Sequence, residues 1–260
     1  MRQEARAALA AASFLTRVPV GRDRAFEVED LRRAAAYFPA VGAAVGGGVG
    51  ALAVRLAARL PTPLAVALSL AAGTAVTGAL HLDALADSAD ALGAHGRERA
   101  LEVMRDPRLG SFGAAALALD LLVKSAALAA LAERSDAVGV AGAAGALSRA
   151  VPVALAAALP YARTGEGTGL AITGTSRGRA AAAGGLALAA TAIGARGAGV
   201  RLATVAASVV LACGLVCQRW LGGVTGDTLG ASLELSETAV LVAAVAFGGR
   251  PAAVALGGRP

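Results

Sequence analysis

Charge is scarce in this chain: only 16% of its 260 residues are Asp, Glu, Lys or Arg, against roughly a quarter in soluble domains. A soluble fold of this length would have to dress its surface with far more charge, so an ordinary globular domain is excluded. Aromatics make up only 3%, which leaves no stacking platform for bases. The formal net charge is +6, but the arginines stand singly in short polar breaks, and a nucleic-acid partner is not expected. Lysine is nearly absent, Lys124 standing alone. Cysteine is rare too. Cys213 and Cys217 sit four apart inside an apolar run, a spacing that is neither a redox CxxC nor a zinc site, and they read as packing residues.

What remains is apolar: 57% of the chain is hydrophobic, mostly Ala, Val and Leu. A transmembrane helix needs about 20 mostly apolar residues. Candidate spans lie at 34–54, 63–80, 111–131, 137–159, 180–194, 202–217 and 236–249, the last three short or interrupted. The expected fold is therefore all-α: a polytopic transmembrane helical bundle of six to seven spans. It forms a single integral membrane domain over 1–260, with an arm at 1–33 and the bundle at 34–260. The arm begins with basic residues and a short apolar run but lacks a small-residue cleavage site, so it reads as a retained interfacial helix. Gly42, Gly46 and Gly50 mark one face of the first span, the small-xxx-small pattern of close helix contact in lipid.

Orientation follows from arginine. Arg2, Arg6, Arg17, Arg22, Arg24, Arg32 and Arg33 precede the first span, and Arg97, Arg99, Arg105 and Arg108 lie between the second and third. The alternate loops hold Arg55, Arg59 and Arg134. The positive-inside rule puts the N-terminus in the cytoplasm of a bacterial cell membrane. The polar connection 81–110, the Gly-rich loop 161–179 and the segment 222–237 then share the cytoplasmic face.

That face carries the carboxylates. In HLDALADSAD, Asp83, Asp87 and Asp90 fall at i, i+4 and i+7, along one face of a helix. Like charges so spaced repel unless a cation sits among them, and oxygen-only ligands suit Mg²⁺, which keeps waters and substrate phosphates in its shell. MRDPRLGSFG adds Asp106, the phosphate-binding forks of Arg105 and Arg108, and Gly110 and Gly113 for close backbone approach. Pro107 and Gly110 are equally explained by a turn that opens the third span. YARTGEGTG, with Arg163 and Glu166, is a flexible loop without the lysine of a P-loop. GGVTGDTLGASLEL contributes Asp227 and Glu234. Asp227 reads either as an Asx-type turn residue or as a ligand contact. His81 is a general-base candidate or a polar interface residue, while His95 lies in an exposed Gly-rich stretch.

Together these blocks resemble the adenosylcobinamide-GDP ribazoletransferase (cobalamin synthase) family, a group of membrane enzymes. The matching segments are TRVPV at 16–20, YFPAVG at 37–42, TGALHLDALADSADAL at 77–92 and RERALEVMRDPRLGSFG at 97–113. Lys124, Ser148–Arg149 and LGGVTGDTLGASLEL at 221–235 continue the match over nearly the whole chain. Ala84 and Ala91 stand where the family often has glycine. The resemblance implies transfer of adenosylcobinamide-GDP onto α-ribazole, or its 5′-phosphate, with release of GMP in the final steps of cobalamin biosynthesis. It also implies Mg²⁺ as cofactor, with Asp83 and Asp87 as leading ligands followed by Asp106 and Asp90. His81, Asp83, Asp87 and Asp106 are then the catalytic set. Arg17, Arg105, Arg108, Lys124, Arg149 and Asp227 are the expected substrate contacts. A CDP-alcohol phosphatidyltransferase and a transporter are the alternatives. The former's aspartate spacing is absent and no internal repeat supports the latter. The lipid bilayer is the surrounding partner, and a homo-oligomer is left open.

Asp120, Lys124 and Arg149 fall at membrane depth, where charge is costly and faces a partner or a cavity. Asp120 and Lys124 share a helix face, so a buried cluster with Asp120 between Lys124 and Arg149 is expected.

Overall fold

A computed structural model describes residues 2–20, 26–164, 168–195 and 197–248. Arg22, Arg24, Glu166, Arg250 and the end of the expected last span at Gly249 lie outside the described residues.

Among the described residues the regular elements are helices, besides one isolated bridge between Tyr161 and Val224. In order the helices are α1 (Arg2–Leu15), α2 (Val28–Ala34), α3 (Phe38–Ala57), α4 (Thr62–Thr77), α5 (Leu80–Leu92), α6 (Arg97–Val103), α7 (Ser111–Ala132), α8 (Ala137–Ala158), α9 (Arg177–Gly194), α10 (Gly199–Leu221) and α11 (Gly226–Phe247). Among the described residues, five stretches are long and apolar enough to cross a membrane: Val28–Ala57, α7, α8, α10 and α11. The bent pair α4 and α5 makes a sixth if taken as one span. The fifth candidate span, 180–194, falls in α9, which opens on Arg177 and Arg179 and is not among the apolar five. It nonetheless runs the length of α8: the Gly174 amide near its start bonds Ala156 O at 3.1 Å, and its last residue, Gly194, abuts Gly139 at the other end.

Close backbone approach builds the bundle centre. A Cβ on Gly42 would run into Gly145 O, one on Gly46 into Ala141 O, and one on Gly50 would lie 2.8 Å from the Ala141 methyl. The glycine face expected from the sequence is therefore the α3–α8 seam, where packing replaces the hydrophobic drive that lipid cannot supply. α1 lays Ala7, Ala10, Ala11 and Leu15 against the bundle, and Phe14 stacks on Phe38 with ring centroids 5.6 Å apart.

Two termini depart from the expected spans. α4 ends at Gly78 (φ 66°), and Ala79 (φ 58°) is also left-handed. Two such residues in a row turn the chain by 91°, and at Ala79 the Cβ makes this conformation costly by roughly 1–2 kcal/mol. α5 thus leaves the direction of α4 and crosses the end of the bundle, over the first turns of α11 towards the start of α7. The last span begins at Gly226, ten residues before the 236 read from the sequence. Thr225 starts it: its hydroxyl accepts the Thr228 amide at 3.1 Å, and the Thr228 hydroxyl accepts the Thr225 amide at 2.8 Å, a reciprocal cap. Glu234 and Glu237 consequently lie within the bundle, not in a cytoplasmic loop.

Candidate active site

Three pieces of chain meet at the end of the bundle where α5 crosses it. α5 presents Asp83, exposed, and Asp87, half-buried, one turn apart. α11 supplies Asp227 in its first turn. The chain leaving α8 pairs with the chain entering α11: Val224 donates to Pro160 O at 2.9 Å and Ala162 to Val224 O at 2.8 Å. Arg97 ties this junction to α10, donating to Leu221 O at 2.7 Å and Ala162 O at 2.6 Å. The pairing brings Arg163 onto Asp227, with Nη2–Oδ2 at 2.5 Å.

α5 is held down on α11 by a contact of small residues: the Ala84 methyl occupies the space a Cβ on Gly230 would need. Ala84 is thus matched by a glycine across the interface. Beside this contact is a cavity of about 160 Å³. His81, Asp83 and Asp227 are its polar wall, and Phe14, Phe38 and Leu233 belong to its apolar wall.

Burial first, then the charges of Asp83, Asp227 and Asp90, raise the Asp87 carboxyl to about 6, with Arg163 opposing. A carboxylate group so disfavoured in its charged form calls for a cation. Among the described residues no group of three His, Cys, Asp or Glu side chains is placed to hold a metal ion. Mg²⁺ does not require one, since it is usually held by one or two carboxylates plus water and phosphate oxygens. Asp83 and Asp87, hard oxygen donors one turn apart at an open face, fit that habit.

The other expected ligands are engaged elsewhere. Asp90 accepts the amides of Gly110 at 2.7 Å and Gly113 at 2.8 Å, so both its oxygens serve the start of α7. Asp106 is gripped by its own loop: the Arg108 amide, Nε and Nη2 all donate to it, at 3.1, 2.9 and 2.6 Å. These bonds hold its carboxyl down at about 2. Asp227 lines the same cavity as Asp83 and adds its charge to that felt by Asp87. Its signal in the sequence is the T-x-x-T cap at Thr225, which places it in a helix rather than a free turn.

Arg105 and Arg108 are exposed on the same loop. Arg17 is exposed as well, and its side chain lies across Gly78, where a Cβ would collide with it, directly over the α4–α5 bend. His81 is buried but lines the cavity next to Asp83.

The buried charges pair differently from expectation. Lys124 meets Asp120 at 3.0 Å and also Glu234, while Arg149 pairs with Glu237, not with Asp120. Asp120 accepts instead from the Thr238 hydroxyl. Reading Glu234 as a loop residue hid both glutamates. The four residues Lys124, Arg149, Glu234 and Glu237 line a small cavity of about 60 Å³ among the spans.

The sequence profile of the cobalamin-5-phosphate synthase family matches residues 7–245. The chain is 43% identical over 249 residues to a protein of Leptothrix cholodnii named adenosylcobinamide-GDP ribazoletransferase, covering 91% of this chain and 93% of that one. A Pseudomonas aeruginosa protein of the same name is 41% identical over 247 residues, covering 94% and 99%. One from Escherichia coli is 38% identical over 239 residues, covering 89% and 96%. No solved structure matches the chain. With its polytopic helical bundle and a family match over nearly its whole length, the chain belongs to the cobalamin-5-phosphate synthase family.

Proposed function

We propose that this protein is a membrane transferase joining adenosylcobinamide-GDP to α-ribazole, or to α-ribazole 5′-phosphate, with release of GMP. The reaction is magnesium-dependent and takes place at the cytoplasmic face of a bacterial cell membrane. One observation carries the reading beyond family membership: Asp83, Asp87 and Asp227 gather from two helices at an open bundle end, with Arg163 among them. A diphosphate ester with a divalent cation is the ligand that such a mixture of carboxylates and guanidinium suits.

Asp83 and Asp87 would hold Mg²⁺, and a bound ion would neutralise the diphosphate charge that otherwise repels an incoming nucleophile. The ribazole hydroxyl attacks the phosphorus on the cobinamide side, the bond to the GMP oxygen breaks, and GMP leaves. Such a transfer asks little covalent chemistry of the protein and much positioning. The apolar wall of Phe14, Phe38 and Leu233 suits the flat aromatic base of α-ribazole. The acceptors for its hydroxyl proton, in the polar wall of the same cavity, are the His81 imidazole and the carboxylates of Asp83 and Asp227. A corrin ring exceeds a cavity of about 160 Å³ and would remain outside, at the open face.

The test is GMP release by the purified chain in liposomes, given adenosylcobinamide-GDP, α-ribazole and Mg²⁺. Release that requires both substrates and stops with EDTA is expected. Movement of substrate without turnover, or turnover unaffected by EDTA, would overturn the reading in its first or its second part.

A further inference from the structure

We infer that Arg163 is the phosphate-binding cation of this site, held in reserve by Asp227 until the diphosphate arrives and then exchanged from carboxylate to phosphate. The inference rests on the proposed function and names a substrate contact within it.

Three observations carry it. First, the Arg163 side chain is only 10% exposed and lies at the carboxylate group, its Nη2 on Asp227 Oδ2 at 2.5 Å. Second, the guanidinium is only partly satisfied: its Nε is buried and has no hydrogen-bond partner among the described residues. An orphaned buried donor on a cation is costly, and a retained one marks a place where a ligand completes the set. A guanidinium presents a fork that matches two phosphate oxygens at once, so Nε with one Nη is the natural pair for this ligand. Third, the backbone fixes where Arg163 stands. The 160–162 segment is bonded to the chain entering α11, and Arg97 grips Ala162 O, so the guanidinium is delivered to the start of α11 by two anchored strands of chain.

The charges explain why the pair forms in the absence of substrate. Asp87, Asp83 and Asp227 repel one another, and Arg163 opposes them. Once a divalent cation neutralises the carboxylates, Asp227 no longer needs the guanidinium, which is then free to turn to the phosphate that accompanies the cation. Binding of cation and diphosphate is thereby coupled through a single ion pair.

The two partners of this pair have opposite expected effects on anion binding, which a merely structural pair would not show. The measurement is GMP binding to the purified full chain in detergent, with EDTA present, by equilibrium dialysis. Arg163→Gln is expected to weaken GMP by about tenfold, the order of one charge-assisted hydrogen-bonded contact. Asp227→Asn is expected to tighten it, and by more than Asp83→Asn, which removes the same charge without releasing Arg163. In the charge-balanced double variant Arg163→Gln, Asp227→Asn the affinity should not return to wild type but stay about tenfold below it, because the phosphate contact is gone; this variant also carries the test if Arg163→Gln alone folds poorly. Equal weakening by Arg163→Gln and Asp227→Asn, or wild-type affinity in the double variant, would overturn the inference. Turnover by the same wild-type preparation with Mg²⁺ reads the function separately. Turnover with GMP affinity indifferent to Arg163 removes only this inference, whereas Arg163-dependent affinity without turnover removes only the proposed reaction.

Discussion

Asp90 on α5 caps α7 through Gly113: its Oδ1 accepts the Gly113 amide at 2.8 Å, while Oδ2 accepts that of Gly110 at 2.7 Å. A Cβ at Gly113 would lie 2.9 Å from Ala86 O and collide with this carboxylate, so glycine lets α5 close on the helix start. A carboxylate at a helix N-terminus satisfies orphan amides and meets the positive end of the dipole. Asp90→Ala should lower stability by about 1–3 kcal/mol, and the activity lost with it should not return at higher Mg²⁺. Asp87→Asn should instead raise the Mg²⁺ concentration needed for turnover while leaving thermal unfolding in detergent nearly unchanged. Recovery of Asp90→Ala by excess Mg²⁺ would make Asp90 a ligand after all.

The pH dependence of cation binding follows from Asp87. Its carboxyl is raised to about 6, so protons compete with the cation below that value. Between pH 7 and pH 5 the apparent Mg²⁺ affinity should therefore fall by about tenfold, one proton being displaced per ion. The measurement is the Mg²⁺ dependence of turnover at each pH. In Asp87→Asn the slope should flatten; an unchanged slope would assign the proton to another group.

Buried ion pairs in the bundle are the third case. Breaking one partner of such a pair typically costs about 3–5 kcal/mol, because an uncompensated charge is left behind. Arg149→Gln and Glu237→Gln should each reduce the yield of folded protein sharply, and the double variant should recover much of it. Asp120→Asn should be milder, since Lys124 retains Glu234. Additive losses in the Arg149–Glu237 cycle, read by thermal unfolding in detergent, would deny the pairing.

Topology has a direct check. In a background with Cys213 and Cys217 replaced by alanine, a cysteine at the exposed position His95 should resist an impermeant thiol reagent in intact cells. One at exposed Arg59 should react. The reverse pattern would place the carboxylate face outside.

The helical bundle, most of its crossing segments and the α3 glycine face were legible in the sequence because each is local. Twenty apolar residues make a span wherever they occur, and a four-residue glycine repeat marks a helix face without reference to a partner. The pairing of Asp83 with Asp87 was legible for the same reason, being one helical turn. Which charges meet across helices was not. Asp90 and Asp106 look like ligands by type and spacing, yet Asp90 is taken by amides about twenty residues away in sequence and Asp106 by Arg108 beside it. Asp227 and Arg163 are 64 residues apart in sequence, and only the pairing of the chain leaving α8 with the chain entering α11 joins them. The 91° turn at Gly78 and Ala79 is likewise a tertiary outcome, since nothing in Ala79 itself favours a left-handed backbone. Residue types set which chemistry was available; packing of distant helices decided which carboxylates and which guanidinium face one another.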